Sequence, residues 1–156
     1  TSLCEDSVYR SMRAALERGQ IERELGDQLH GQSDLESKAQ LCINAHATGT
    51  KQGDAAELRA IQRLVQDLRL GQVSVCATKA STGHLLAASG ALEAAFSVLS
   101  LWHGWIPPTL NYRGEGAEGV KIGAKALRAS GLGAVLSNSF GFGGVNASVL
   151  FVKSEW

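Results

Sequence analysis

Apolar positions recur along the chain with two different periods, and these mark out its elements. From Ser7 to Gly19 they fall at Val8, Met12, Ala15 and Leu16. That is the spacing of a helix with one buried stripe, and Gly19 ends it. Gln20 to Gln40 is polar, contains Gly26 and Gly31, and reads as a variable insertion with at most a short helix. Gln40–Ala45 (QLCINA) is a short apolar run that predicts a buried strand. Asp54 to Leu68 returns to helical spacing, with Asp54 placed to cap it and Glu57 three residues later in capping-box position. Gly71–Thr78 (GQVSVCAT) alternates toward a strand. Leu85 to His103 predicts a helix that is apolar nearly all round, and Pro107-Pro108 stops any continuation. Gly114 to Gly133 is a glycine-rich connection. Ala134–Ser139 and Ala147–Lys153 predict two strands on either side of a glycine-rich turn. The order αβαβαββ predicts an α/β layered fold, with a mixed, mostly parallel sheet that ends in an antiparallel strand pair.

Charge sharpens this picture locally rather than in total. The 156 residues are enough for one domain with a real core, and with 44% hydrophobic residues the chain is not disordered. Fifteen basic side chains balance fifteen acidic ones, so no excess of cations is available for nucleic acid. Between Ala80 and Tyr112 the only formal charge is Glu93, where average usage predicts about six. Ala129 to Val152 is also neutral. Such runs predict elements buried on most sides, or packed against another subunit. A lone carboxylate in this setting pairs with Lys79, binds a cation, or faces water. Ser89, Gly90, Glu93, Ser97 and Ser100 interrupt the apolar stretch, so no membrane span is expected. Cys4, Cys42 and Cys76 are odd in number and widely spaced, which predicts neither a disulfide framework nor a zinc site but a reduced, intracellular setting. The chain begins at Thr1 without a signal-peptide pattern, and its termini are expected to be missing.

Three loops following predicted strands carry the chemistry, at the strand ends where an open α/β sheet binds ligands. They are Asn44-Ala-His46-Ala-Thr48-Gly-Thr50, Thr78-Lys79-Ala-Ser-Thr82-Gly83-His84, and Asn138-Ser-Phe-Gly141-Phe142-Gly143-Gly144-Val-Asn146. One histidine alone is more often structural. Two at strand ends, with hydroxyls and glycines beside both, point to a site. A phosphate loop is excluded, because no GxxxxGK(S/T) run exists and the last glycine cluster precedes a strand.

Together, the three ordered motifs, with Gly53-Asp54 and Glu57 after the first, resemble the β-ketoacyl-acyl carrier protein synthases. These are the condensing enzymes of fatty acid and polyketide synthesis, with the thiolase fold. The resemblance covers Gln40 to Trp156 and extends to the first helix. The Thr-Gly-His-Leu-Leu and Gly-Ala-Leu-Glu stretches are closest to the fatty-acid-elongation type, mitochondrial forms included. It implies that His46 and His84 are the two histidines of a Cys-His-His site. Each would offer an N–H to the thioester oxygen as malonyl thioester loses CO₂ and negative charge develops there. The resulting enolate carbon would then attack an acyl thioester held on a cysteine. The resemblance further implies that Lys79 is the active-site lysine with Glu93 as its buried partner. By the same resemblance Phe142, between Gly141 and Gly143, would gate the acyl pocket, and its backbone N–H would contribute to a second oxyanion hole. Thr48 and Thr50 would bind the pantetheine arm, and Asp54 and Glu57 would support the site. No cofactor is required, but a structural K+ or Na+ would lie at Asn44, Glu93, Ser137, Asn138 and Asn146.

The partners implied are an acyl carrier protein carrying acyl or malonyl phosphopantetheine, a second copy in a homodimer, and an N-terminal half with the nucleophile. That nucleophile, a cysteine in an Ala-Cys-Ser elbow, has no counterpart here. Cys42 and Cys76 lie inside predicted strands and read as small apolar residues. Residues 1–156 therefore resemble a C-terminal half, beginning after that half's first strand, and the isolated chain is expected to be inactive. The mitochondrion, the plastid and the bacterial cytoplasm all suit the resemblance. Ala87 stands where the pattern often has Gly, Val145 where it has Thr, and Asn111–Ser137 lacks the usual acidic stretch. The alternatives are a thiolase, a malonyl decarboxylase using only the histidines, a non-catalytic chain-length-factor-like or truncated dimerisation partner, and a generic α/β binding domain.

Overall fold

The computed structural model describes residues 4–19, 40–114 and 116–153. The polar insertion expected over 20–40 lies, except for Gln40, outside the described residues. The elements are α1 (Glu5–Arg18), β1 (Gln40–Asn44), α2 (Lys51–Asp67), β2 (Val73–Cys76), the single turn α3 (Lys79–Thr82), α4 (Ser89–His103), β3 (Trp105–Ile106), β4 (Val120–Ile122), β5 (Leu127–Arg128), β6 (Leu132–Phe140) and β7 (Asn146–Val152). Short 3₁₀ turns occupy Leu86–Ala88 and Phe142–Gly144. Five strands form one sheet in the order β4-β2-β1-β6-β7. Its first three junctions are parallel and β6–β7 is antiparallel, as the element order predicts. β1 is central: Cys42–Asn44 pair with β2, and the whole strand pairs with β6, with a register shift between Gln40 and Leu41 that skips Gly133. β3 and β5 make a separate antiparallel pair.

Residues alternate across the sheet, and both faces are covered, which is why the strands read as nearly continuous apolar runs. Leu41, Ile43, Val73, Val75, Ala134 and Leu136 pack under α1 and α2, against Val8, Met12, Leu16, Ile61 and Leu64. Cys42, Cys76, Leu132 and Val135 face the other way and form a smaller core with Leu101 of α4 and with Ile106 and Ala129. Cys42 and Cys76 are free, buried thiols with sulfurs 3.9 Å apart.

The structure corrects three expectations. First, β4 lies within the glycine-rich segment expected to be only a connection. It holds the sheet's edge by pairing with β2, and Gly119 O accepts the Val73 N–H. Second, α2 begins at Lys51 rather than at Asp54, with Thr50 at the N-cap. Third, α4 begins at Ser89, after a turn over Leu85–Ala88. It is not buried all round. Its buried stripe is Ser89, Glu93, Ser97, Ser100 and Leu101, whereas Val98, Leu99 and Trp102 stand 48%, 50% and 80% exposed. The serines tolerate burial because each finds a partner. Ser97 and Ser100 donate to the carbonyls of Glu93 and Phe96, both at 2.8 Å. Gly104, at φ +66°, closes α4 in the left-handed conformation. No helix among the described residues is long and apolar enough to cross a membrane.

Candidate active site

The loops after β1 and β2 and the end of β6 meet at one end of the sheet. His46 leaves β1 in a loop held from below by Glu57. The two oxygens of this buried carboxylate accept the N–H groups of His46 and Ala47, both at 2.9 Å, and Asn138 Nδ2 donates to one of them at 3.1 Å. Burial pushes the Glu57 carboxyl up, opposed by these three hydrogen bonds. Asp54 likewise accepts the Gly49 N–H, at 3.2 Å. The two acids expected to cap their own helix thus reach back to the preceding loop, because α2 has already begun three residues earlier. Ala47 takes φ +29°, a conformation an L residue holds only when its surroundings fix it.

His84 follows α3 and Gly83. Its Nδ1 accepts the Leu86 N–H at 3.1 Å. In the neutral ring this places the hydrogen on Nε2. The rings of His46 and His84 meet edge to face, with centroids 5.7 Å apart and planes at 89°. Phe140, at the end of β6, packs against His46 at 5.6 Å. Burial, then the charge of Lys79, then His84 push the pKa of His46 down to about 4, so its ring is neutral at ordinary pH. Its Nδ1 is buried without a partner among the described residues.

Beside the histidines, Lys79 Nζ and Glu93 Oε1 form an ion pair with both side chains buried. Of the three fates open to Glu93, the structure contains the pairing with Lys79. Burial pushes the Glu93 carboxyl up, and the bond to Lys79 opposes it. A cation at this place needs hard oxygen donors that converge. Asn44 Oδ1 and Glu93 Oε2 are buried without partners among the described residues. Ser137 is the register partner of Asn44 on the same face. Asn138 and Asn146 do not join them. Asn138 follows Ser137 in the strand, so it points to the opposite face, where it bonds Glu57 and Met12, and Asn146 Nδ2 donates to Ser7 of α1. Asn138 and Asn146 therefore lie apart from Asn44, Glu93 and Ser137, the other three residues expected to hold a cation. Among the described residues, no cluster of three or more His, Cys, Asp and Glu is placed to hold a metal.

The remaining expected residues sit at the rim. Thr48 and Thr50 are exposed with hydroxyls 3.4 Å apart. Gly53 leaves room for them, since a Cβ there would lie 2.5 Å from Thr50 Oγ1. Phe142 is 96% exposed, on a turn with Gly143 at φ +81° and Gly144 at φ +83°. The structure does not bring its side chain onto the histidines, though the turn leaves β6 just beyond Phe140. Neither core thiol suits nucleophilic work, and the mutual hydrogen bond and burial push the Cys42 thiol well up. Two contributors escape a reading by motif. Asn138 donates to Glu57, and Ser89, which looks like a polar interruption in an apolar run, contacts His84.

Comparison with known proteins places the chain in a family. Residues 4–113 match the beta-ketoacyl synthase C-terminal domain. The mitochondrial 3-oxoacyl-acyl-carrier-protein synthase of Arabidopsis thaliana is 44% identical over 114 residues, which is 71% of this chain and 25% of that protein. The 3-oxoacyl-acyl-carrier-protein synthase 2 of Rhizobium meliloti is 38% identical over 146 residues, 93% of this chain and 31% of that one. A crystal structure of a beta-ketoacyl synthase from Burkholderia phymatum superposes on 99% of this chain and 34% of its own, with TM-score 0.77 and 30% identity. The chain thus spans about a third or less of the length of these relatives. Its fold is the mixed, thiolase-like one of the ketosynthases, and the chain belongs to the beta-ketoacyl synthase family, whose C-terminal domain it carries.

Proposed function

We propose that the chain is the C-terminal part of an acyltransferase that joins an acyl thioester to malonyl-acyl carrier protein by decarboxylative Claisen condensation in fatty acid elongation. The observation that carries this is the edge-to-face pair of His46 and His84 beside the buried Lys79–Glu93 ion pair. As the malonyl group loses CO₂, negative charge grows on the thioester oxygen. Two imidazoles that each present an N–H to that oxygen stabilise it. The depressed pKa of His46 keeps that ring neutral throughout the working range. Lys79 is paired with Glu93 rather than free to act as a base. Loss of CO₂ leaves the electron pair on the α-carbon, which attacks the acyl thioester and expels the enzyme's thiolate.

That thiolate comes from the N-terminal part of the whole protein. Thr48 and Thr50 at the rim suit hydrogen bonds to a pantetheine arm, and Phe142 on its glycine-flanked turn suits a movable wall of the acyl pocket. A structural K+ or Na+ belongs to this reading at Asn44, Glu93 and Ser137; no other cofactor does. So do a homodimer, an acyl carrier protein partner and, from the plant relative, a mitochondrial setting. The test joins this chain to the N-terminal part that bears the cysteine and follows CO₂ release and ketoacyl product from malonyl- and acyl-acyl carrier protein. The joined protein is expected to condense and the 156-residue chain alone not to. His46→Ala or His84→Ala is expected to lower decarboxylation at least about 100-fold. Product from the chain alone, or full activity in either variant, overturns the reading.

A further inference from the structure

Ser89 is buried at the first position of α4, five residues after His84, and its hydroxyl stands between two groups. The Leu85 N–H donates to Ser89 Oγ at 2.7 Å, and the same oxygen lies 3.0 Å from His84 Nδ1. Nδ1 already accepts the Leu86 N–H, a group that can only donate. Its lone pair therefore faces outward and it carries no hydrogen in the neutral ring. Ser89 Oγ spends one lone pair on Leu85, which leaves its O–H to point at Nδ1 and share the ring nitrogen's one lone pair with the Leu86 N–H. We propose that Ser89 is a positioning residue for His84: its hydroxyl hydrogen, added to the Leu86 N–H, holds the ring in place with its own hydrogen on Nε2.

The contact does a second job. Leu86 takes φ +52°, unusual for a bulky residue, in the turn that carries this N–H. By holding the Leu85 N–H and the ring at once, Ser89 ties that turn to the rigid start of α4. The other titratable groups around the ring lie elsewhere: His46 after β1, Lys79 on α3 and Glu93 on α4. Replacing Ser89 changes none of them. The inference deepens the condensing-enzyme reading, because Nε2 would then be the donor to the thioester oxygen. The contact itself is independent of that reading.

The test uses the full protein that contains this chain, with Ser89→Ala and Ser89→Thr. Carbethoxylation of His84 by diethyl pyrocarbonate, followed by mass spectrometry against pH, reports its proton affinity without any enzymatic activity. Losing one donor to the neutral ring is expected to strengthen proton binding about fivefold, moving the half-point for Ser89→Ala up by about 0.7 pH unit. Ser89→Thr keeps a hydroxyl and is expected to restore the wild-type half-point. In parallel, malonyl decarboxylation by Ser89→Ala is expected to lose about fivefold in kcat with KM unchanged. An unmoved half-point in Ser89→Ala, or a Thr variant that titrates like the Ala variant, overturns the proposal. A shifted half-point in a protein whose wild type does not decarboxylate malonyl thioesters upholds it and overturns the condensing reading instead.

Discussion

Glu57 never needs to touch a substrate to shape the site. It fixes two consecutive N–H groups, and so sets where the His46 ring emerges. Glu57→Gln keeps the shape but turns an N–H donor toward one of those amides. It is expected to cost about 1–3 kcal/mol, read by urea unfolding at pH 7, and to shift the His46 ring resonances. His46 leaves its own mark on stability. Its unfolded pKa is near 6.5 and its folded value about 4, so the fold takes up this proton less readily than the unfolded chain. The contribution is complete above pH 6.5 and is lost as pH falls toward 4. The raised carboxyls of Glu57 and Glu93 act with the opposite sign, and comparison of wild type with His46→Gln over that window isolates the histidine's share. Lys79 and Glu93 offer a third check. Glu93→Gln leaves a buried ammonium unpaired and is expected to cost about 3–5 kcal/mol, whereas Glu93→Gln with Lys79→Met is expected to recover part of that loss.

At the scale of elements, the sequence and the structure part company where local spacing has two readings. Asp54 and Glu57 have the spacing of a capping box, but helical geometry started at Lys51 turns the same two side chains toward the loop behind them. Nothing within a helix-length window distinguishes the two, because the decision rests on where His46 must sit. The segment that became β4 shows the same limit. Three residues among glycines carry little strand signal, and their pairing with β2 depends on contacts distant in sequence. Gly119 holds that edge. It takes φ +72°, and a Cβ would lie 2.8 Å from Val65 of α2. Gly119→Ala is expected to cost about 2 kcal/mol or more in chemical denaturation and to speed hydrogen exchange in β4 before the rest of the sheet. By contrast, α1, β1, β2, β6 and β7 were legible, because α1 keeps one helical stripe and the strands are short apolar or alternating runs set off by polar or glycine residues.

Over the whole molecule, α4 is the informative element. A nearly uncharged segment predicts burial on most sides or packing against another subunit, and here its serines, Glu93 and Leu101 are buried while Val98, Leu99 and Trp102 face out. The free chain is therefore expected to self-associate, sedimenting above monomer mass at tens of micromolar. Leu99→Glu with Trp102→Ser is expected to return it to monomer without disturbing the sheet. The sequence by itself determined the α/β class, the mostly parallel sheet with its antiparallel end, the three loops, and the absence of an elbow cysteine. All of these follow from periodicity and from short-range motifs. Only the tertiary structure decided that His46 and His84 meet edge to face, that Glu93 takes Lys79, that Asn138 belongs to Glu57, and that Ser89 touches a histidine ring. Each of those contacts depends on which face of a strand or helix a side chain occupies once the sheet has closed, and a one-dimensional pattern carries that information only when a single partner is available.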